Sequence, residues 1–329
     1  MSREALLGRL AMVGRAMPRT PLVQLRHDRL DLYAKLEYVN PNGSSKDRSA
    51  YWILKRAVER GDVTERTTIV ESSSGNFAIS LASFCRWIGL PFVPVIDPNV
   101  NASTEAFLRR LCDRVEKVTE PDATGGYLST RLRRVEELRA ELSSVYWPNQ
   151  YANPDALAAH DLLTGAELCM DLPRIDYLFV GVSTGGTIAG LSTRLKRLRP
   201  DAWVVAVDAE GSVIFGSPPA KRRLPGLGSS IVPPLVGKAS IDDVMIVSEV
   251  DAVRGCHELF ERHGLYAGGS TGSVYSAIER YFADHRGPRP TVAFLCADRG
   301  TGYADTVYDP EWVARFVAQR DRGQSVALV

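Results

Sequence analysis

Short apolar stretches alternate with amphipathic stretches along most of this chain, and this alternation constrains the fold more than any other feature. Five apolar stretches of strand length read DLYAKLEY, TTIVES, PFVPVI, IDYLFVGV and PTVAFLCA. Helical patterns such as KDRSAYWILKRAVERG and NFAISLASFCRWIG stand between them. Apolar strands that alternate with helices form parallel sheets covered on both faces, so we predict an α/β fold.

Length, charge and cysteine usage exclude several classes of protein. The 329 residues allow one large domain or two smaller ones, and a net charge of +1 argues against a general nucleic-acid binder. No apolar run approaches the roughly 20 residues of a membrane span, and we expect no secretion signal. The five cysteines are scattered, and HELFERH lacks the spacing of the zinc motif H-E-x-x-H. We therefore expect a cytoplasmic protein with reduced thiols and without metal, membrane or nucleic acid.

The stretch GVSTGGTIAG, residues 181–190, supports two functional interpretations. It contains the G-x-S-x-G pattern of serine hydrolases, which would make Ser183 a nucleophile. It also carries hydroxyl groups and glycines between a strand and a helix, as a phosphate cradle requires. It lacks the lysine of a Walker A loop and the spacing of a dinucleotide motif, which leaves a smaller phosphorylated ligand. A turn without any ligand also stays open at this point.

Lys46 stands at the predicted start of a helix in KLEYVNPNGSSKDR, residues 35–48. Ser44 or Ser45 can cap this helix, and Asp47 complements its positive end. The positive field at a helix start disfavours the charged form of Lys46, and an amine with a lowered pKa forms Schiff bases. A capped helix with a solvated lysine is the alternative that the residues leave open.

Four motifs, taken in order, resemble those of one enzyme family. KLEYVNPNGSSKDR, SSSGN (residues 72–76), STGGT (183–187) and GGSTGS (268–273) resemble the motifs of the fold-type II pyridoxal-phosphate enzymes, the cysteine synthase and cystathionine β-synthase family. The resemblance covers nearly the whole chain. It implies two three-layer αβα domains with parallel sheets, like the tryptophan synthase β-subunit, and a homodimer. It also implies a large cofactor-binding domain of residues 1–46 and 151–329 and a small mobile domain of residues 47–150.

The same resemblance implies a role for each matching residue. Lys46 would bind pyridoxal 5'-phosphate as an aldimine, Asn76 would contact the ring hydroxyl, and Ser270 would face the pyridine nitrogen. The residues that would hold the cofactor phosphate are Ser183, Thr184, Gly185, Gly186 and Thr187. The residues that would bind substrate are Ser73, Ser74, Asn76 and Gln150, with Arg131 and Tyr151 as further candidates. A solvated charge on an Arg-rich helix is the alternative role for Arg131.

Further stretches narrow the implied reaction. EPDATGGYLSTR, YWPNQYAN, VDAEGSVIFG and LPGLGSS resemble the siderophore-pathway branch of the family, which joins O-phospho-L-serine to L-glutamate on the route to 2,3-diaminopropionate. This implies a β-replacement through an α-aminoacrylate that releases phosphate. A cysteine synthase that uses sulfide, with O-phosphoserine or O-acetylserine as donor, is the alternative. Phe77 and Ala78 depart from the family pattern after Asn76, and we expect the Phe77 ring near the substrate loop. The irregular segment 215–237 is either a functional loop or a surface excursion.

Overall fold

The computed structural model describes residues 2–122 and 125–326, which form two sheets with flanking helices. The strands are β1 (Leu22–Leu25), β2 (Asp31–Leu36), β3 (Thr68–Ser72), β4 (Phe92–Ile96), β5 (Glu116–Lys117), β6 (Val145–Tyr146), β7 (Tyr177–Gly181), β8 (Trp203–Ala209), β9 (Asp243–Val247) and β10 (Thr291–Cys296). The α-helices are α1 (Arg3–Ala16), α2 (Lys46–Arg60), α3 (Asn76–Ile88), α4 (Ala102–Leu111), α5 (Leu128–Glu141), α6 (Pro154–Ala159), α7 (Ala166–Asp171), α8 (Gly186–Leu198), α9 (Glu249–His263), α10 (Gly269–Tyr281) and α11 (Pro310–Val326). A π-helical turn, His160–Gly165, joins α6 to α7.

The larger sheet has the strand order β1-β2-β10-β7-β8-β9, and the smaller has the order β5-β4-β3-β6. Every pair in the smaller sheet is parallel, as are the pairs of the larger sheet from β2 to β9. The predicted α/β fold with parallel sheets is therefore confirmed. The antiparallel edge strand β1 was not predicted, because its four residues are too short to show a clear pattern.

Both faces of the larger sheet are buried, which gives it the three-layer build that the alternation predicts. Neighbouring residues on one strand point to opposite faces. Leu178 packs in one apolar cluster with helix α8, and Phe179 packs in another with helix α10. A separate core joins the smaller sheet to α1, α2, α3 and α4. Phe77 lies in that core and is 1% exposed, so its ring does not face the substrate loop as we expected.

The carboxyl ends of the strands bring the motifs together. β7 ends at Gly181 and α8 begins at Gly186, so the predicted strand–turn–helix context of residues 183–187 is confirmed. After β10, the amide of Ser45 donates to the carbonyl of Ala297 (2.8 Å) and the amide of Gly268 donates to that of Asp298 (3.0 Å). The start of α2 and the start of α10 therefore flank one segment. Ligands of open α/β sheets bind at this edge.

Candidate active site

One cavity collects residues from three of the four motifs. It lies between the start of α2, the turn before α8 and the start of α10. The predicted site residues that line it are Lys46, Ser183, Thr184, Gly185, Thr187 and Ser270. The lining also includes Gly226, which comes from the irregular segment 215–237, and Ala297. Part of that segment therefore lines the cavity.

Lys46 is the amine of the cavity. It is the first residue of α2, and the hydroxyl of Ser44 accepts a hydrogen bond from its amide at 3.3 Å. Burial lowers the pKa of the Lys46 ammonium, and the carboxylate of Asp298 opposes this shift. Burial is thus the main cause of the lowered pKa, whereas we predicted the field of the helix start. An amine of this kind is a nucleophile and a proton acceptor.

The turn before α8 is built to accept an anion. The first amide groups of a helix have no carbonyl partner within that helix, and the helix dipole adds positive potential there. Gly185 has φ +86°, and a Cβ atom on it would lie 2.7 Å from the amide nitrogen of Val236. Only glycine therefore fits this position. The hydroxyls of Thr184 and Thr187 add two further possible donors.

Ser183 does not have the environment of a hydrolase nucleophile. Its hydroxyl donates to the carbonyl of Gly228 at 3.1 Å. The three histidines that follow it in the chain have other neighbours: His257 bonds to the carbonyl of Val307, His285 bonds to that of Pro288, and the His263 ring packs edge to face against Tyr275. The G-x-S-x-G interpretation therefore gains no support from the structure.

Asp298 is a site residue that the sequence analysis did not identify. It is buried, and its Oδ2 accepts from Asn76 Nδ2 at 2.8 Å and from the Tyr303 hydroxyl at 3.0 Å. Burial raises the pKa of this carboxyl, whereas its hydrogen bonds and the Lys46 charge lower it. Asn76 belongs to helix α3 and Asp298 follows β10, so this bond ties the substrate loop to the larger sheet. No sequence pattern joins residues 222 positions apart.

A second polar cluster lies at the carboxyl edge of the smaller sheet. Arg131 Nε is 3.1 Å from Asp97 Oδ2, and Arg131 Nη1 donates to Ser74 Oγ at 3.1 Å. Tyr151 lies close to Arg131, whose charge opposes the rise that burial causes in the pKa of the Tyr151 hydroxyl. The Arg131 side chain is only 12% exposed, which rules out the solvated role. The structure thus brings together three of the residues predicted to bind substrate.

The two loop serines use their hydroxyl groups differently. Ser74 Oγ donates to Asp97 Oδ2 (3.1 Å) and accepts from the Asp97 amide (3.2 Å) as well as from Arg131. A hydroxyl has one donor and two acceptor positions, so these partners occupy Ser74 fully. Ser73 Oγ accepts from the amide of Ala78 at 3.2 Å, which leaves its proton for another acceptor. Gln150 Nε2 donates to the carbonyl of Ser72 at 3.5 Å, which ties it to the same loop.

The chemical character of the cavity fits pyridoxal phosphate. The amine of Lys46 matches its aldehyde, the neutral hydroxyl of Ser270 matches its ring nitrogen, and the start of α8 matches its phosphate. The glycine at position 185 lets the backbone of Val236 pack directly against this turn. Within residues 2–122 and 125–326, no group of three or more His, Cys, Asp or Glu side chains could hold a metal ion. None of the helices in that part of the chain is both long and apolar enough to cross a membrane.

Comparisons with known proteins agree with this fit. The chain is 46% identical to the N-(2-amino-2-carboxyethyl)-L-glutamate synthase of Ralstonia nicotianae over 92% of its own length and 91% of that protein. It superposes on the O-acetylserine dependent cystathionine beta-synthase of Helicobacter pylori with a TM-score of 0.82 and 26% identity, over 89% of this chain and 97% of that one. The superposition on O-ureido-L-serine synthase gives a TM-score of 0.83 and 26% identity, over 91% of this chain and 95% of that one. Residues 13–298 match the family model described as pyridoxal-phosphate dependent enzyme, and the chain belongs to this family.

Proposed function

We propose that this enzyme joins O-phospho-L-serine to L-glutamate, giving N-(2-amino-2-carboxyethyl)-L-glutamate and phosphate. The observation that carries the proposal is the cavity in which Lys46 faces both an anion cradle and Ser270. The relative from Ralstonia nicotianae, which shares 46% identity, supports this choice of product. Such a product belongs to amino-acid biosynthesis, on a route to 2,3-diaminopropionate and a siderophore.

Lys46 is the residue that moves protons in this proposal. Bound pyridoxal phosphate supplies an electron sink for the negative charge that develops at the α-carbon of the amino acid. Lys46 Nζ would hold the cofactor, and as a neutral amine it would take the proton from the α-carbon of O-phosphoserine. Its lowered pKa supports this role, because an amine that stayed protonated could not accept that proton.

The remaining residues orient the cofactor and the donor substrate. Ser270 would donate to the ring nitrogen without protonating it, which suits elimination at the β-carbon better than transamination. Asn76 has a second proton on the amide nitrogen that bonds Asp298, and this proton is available to the ring hydroxyl. The donor carboxylate would meet Ser73, Gln150 and the backbone amide of Asn76, which is the first residue of α3.

The acceptor is bound, in this proposal, by the cluster around Arg131. Glutamate brings two carboxylates, and a guanidinium grips a carboxylate with two parallel hydrogen bonds. Tyr151 lies near Arg131 and would line the same pocket. Since Asp97 already pairs with Arg131, binding an acceptor requires Arg131 to share or exchange this partner.

The test follows phosphate release and product formation by the cofactor-loaded enzyme. O-phospho-L-serine should release phosphate, and mass spectrometry should detect the coupled product only when L-glutamate is added. Lys46→Ala should lower the rate by about 10²–10⁴-fold, since it removes the general base. Coupling with sulfide but not with L-glutamate would replace this proposal by a cysteine synthase.

Domain movement, assembly and location are further parts of the proposal. We propose residues 47–150 as a small mobile domain, which the smaller sheet between Thr68 and Tyr146 supports. Helix α1 packs against this unit, so it would move with it. Five free cysteines, four of them buried, support a cytoplasmic location. The exposed apolar side chains of Met12 and Trp87 support a homodimer. A monomeric mass in light scattering would exclude the dimer, and a membrane or secreted fraction would exclude the cytoplasm.

A further inference from the structure

A buried histidine lies directly behind the phosphate-binding turn. His160 is 1% exposed and begins the π-helical turn His160–Gly165. Its Nε2 is 3.2 Å from Thr187 Oγ1, and its Nδ1 is 3.1 Å from Thr164 Oγ1. The three side chains therefore form one hydrogen-bonded row that ends at the cavity, where Thr187 is part of the lining.

The packing of α8 makes this contact possible. A Cβ atom on Gly190 would lie 2.6 Å from the Cβ of His160 and 2.4 Å from the carbonyl oxygen of Leu157. Any larger residue at position 190 would push α8 away from the π-helical turn. The close approach of α8 thus places Thr187, one turn earlier on the same helix, within reach of the His160 ring.

We propose that His160 is a positioning residue for the cofactor phosphate, with its Nε2–H donating to Thr187 Oγ1 so that the Thr187 proton is directed at the phosphate. The inference rests on the proposed placement of the phosphate at the start of α8. A phosphate oxygen only accepts hydrogen bonds, so Thr187 must donate to it. The Thr187 oxygen is then the acceptor for His160, and the histidine proton must be on Nε2.

The same logic fixes the other end of the row. When Nε2 carries the only ring proton, Nδ1 is an acceptor, so the hydroxyl of Thr164 must donate to it. The ring has to be neutral for this arrangement. Burial, followed by the charges of Lys46 and Arg48, lowers the pKa of His160 to about 3, which keeps the ring neutral throughout the range in which enzymes are assayed.

The first test compares binding of pyridoxal phosphate with binding of pyridoxal, which lacks the phosphate. Loss of a hydrogen bond to a charged group should make Thr187→Val bind pyridoxal phosphate about tenfold more weakly. His160→Leu should weaken it by about fivefold to tenfold, whereas His160→Gln, whose amide can replace the Nε2–H donor, should stay within about twofold. Pyridoxal should bind equally well to all three variants and to the wild type, because the row acts only through the phosphate.

These experiments measure binding of the cofactor and use no substrate. Their outcomes therefore test the role of His160 separately from the proposed reaction. If Thr187→Val binds pyridoxal phosphate normally, the placement of the phosphate is wrong and the inference is overturned with it. If Thr187→Val is weakened but His160→Leu is not, the placement stands and the role of His160 is overturned. The same follows if His160→Leu weakens pyridoxal and pyridoxal phosphate alike.

A second measurement is made on the wild type, and a variant serves only to assign the signals. Nitrogen NMR of the cofactor-loaded wild type, labelled in histidine, reports which ring nitrogen carries the proton. The His160 signals, identified by their absence in His160→Gln, should show a protonated Nε2 and an unprotonated Nδ1 that do not change between about pH 6 and pH 8. A proton on Nδ1, or a charged ring, contradicts the proposed direction of the row.

Discussion

Glu71 should make the stability of this enzyme depend on pH in a window where most carboxylates do not titrate. Its side chain is fully buried at the end of β3, where Oε1 accepts from Trp147 Nε1 (3.2 Å) and from the amide of Ser72 (2.9 Å). Oε2 has no hydrogen-bond partner among the described residues. Burial raises the pKa of Glu71 from 4.5 to about 8, against smaller opposing effects that include the charge of Arg131.

The sign and size of the effect follow from this shift. The folded state holds the proton more tightly than the unfolded state, so Glu71 stabilises the fold fully below about pH 4.5 and loses this contribution as the pH rises through about 8. The whole difference corresponds to ~5 kcal/mol, of which ~2 kcal/mol is lost between about pH 6 and pH 8. Glu71→Gln keeps the oxygen that Trp147 and Ser72 bond, but it has no proton to lose.

The assay is urea denaturation of the wild type and of Glu71→Gln at about pH 6 and pH 8, with Glu136→Gln as the control for an exposed glutamate. Glu136 is 56% exposed, so its replacement should leave the pH dependence of the wild type unchanged. The free energy of unfolding of Glu71→Gln should fall by ~2 kcal/mol less than that of the wild type over this interval. Parallel curves for Glu71→Gln and the wild type would refute the reasoning, because they would mean that Glu71 is ionised throughout.

Two further predictions concern the two anion-binding regions. Arg131→Gln should raise the KM of an anionic substrate by about tenfold or more, since a charge-assisted hydrogen bond is lost. Arg133 lies on the same helix but is 69% exposed, so Arg133→Gln should leave this KM unchanged. Equal effects of the two substitutions on KM in steady-state kinetics would contradict the prediction. Gly185→Ala should weaken pyridoxal phosphate binding at least tenfold, because left-handed backbone costs ~1–2 kcal/mol and the new Cβ meets Val236. Gly237→Ala is the control, because a Cβ atom at this position would have no neighbour within 4 Å. It should leave the affinity for pyridoxal phosphate, measured by spectroscopic titration, unchanged.

The features that the sequence predicted well are local in the chain. The turn at residues 183–187 was placed between a strand and a helix because both neighbours have clear periodicity, and β7 and α8 confirm this. Helix α2 likewise begins at Lys46, where a helix start was predicted, and it ends before Gly61, whose φ of +86° is typical of a glycine cap. Such features depend on a few consecutive residues, so one chain is enough to identify them.

The features that the sequence could not predict are contacts between distant segments. Arg131 is one of several arginines in RLRRVEELR, and nothing local distinguishes it from Arg133. The distinction arises because β4 delivers Asp97 to the same edge of the smaller sheet, 34 positions earlier in the chain. Phe77 was misjudged for the same reason, because its neighbour Asn76 faces the site while its own ring turns into the core.

One glycine in each of the two G-x-S-x-G matches is required by packing, so its presence does not indicate a catalytic serine. Gly185 ends the first match, and a side chain there would collide with the backbone of Val236. Gly268 begins the second match, and its Cβ would lie 2.1 Å from Asp298 Oδ1. A hydrolase elbow needs glycine to expose a nucleophile, whereas these two positions need glycine because other segments pack against them. The same glycines that suggested a nucleophile therefore let Val236 and Asp298 approach the backbone. The serines of the two matches, Ser183 and Ser270, are left to bind rather than to attack.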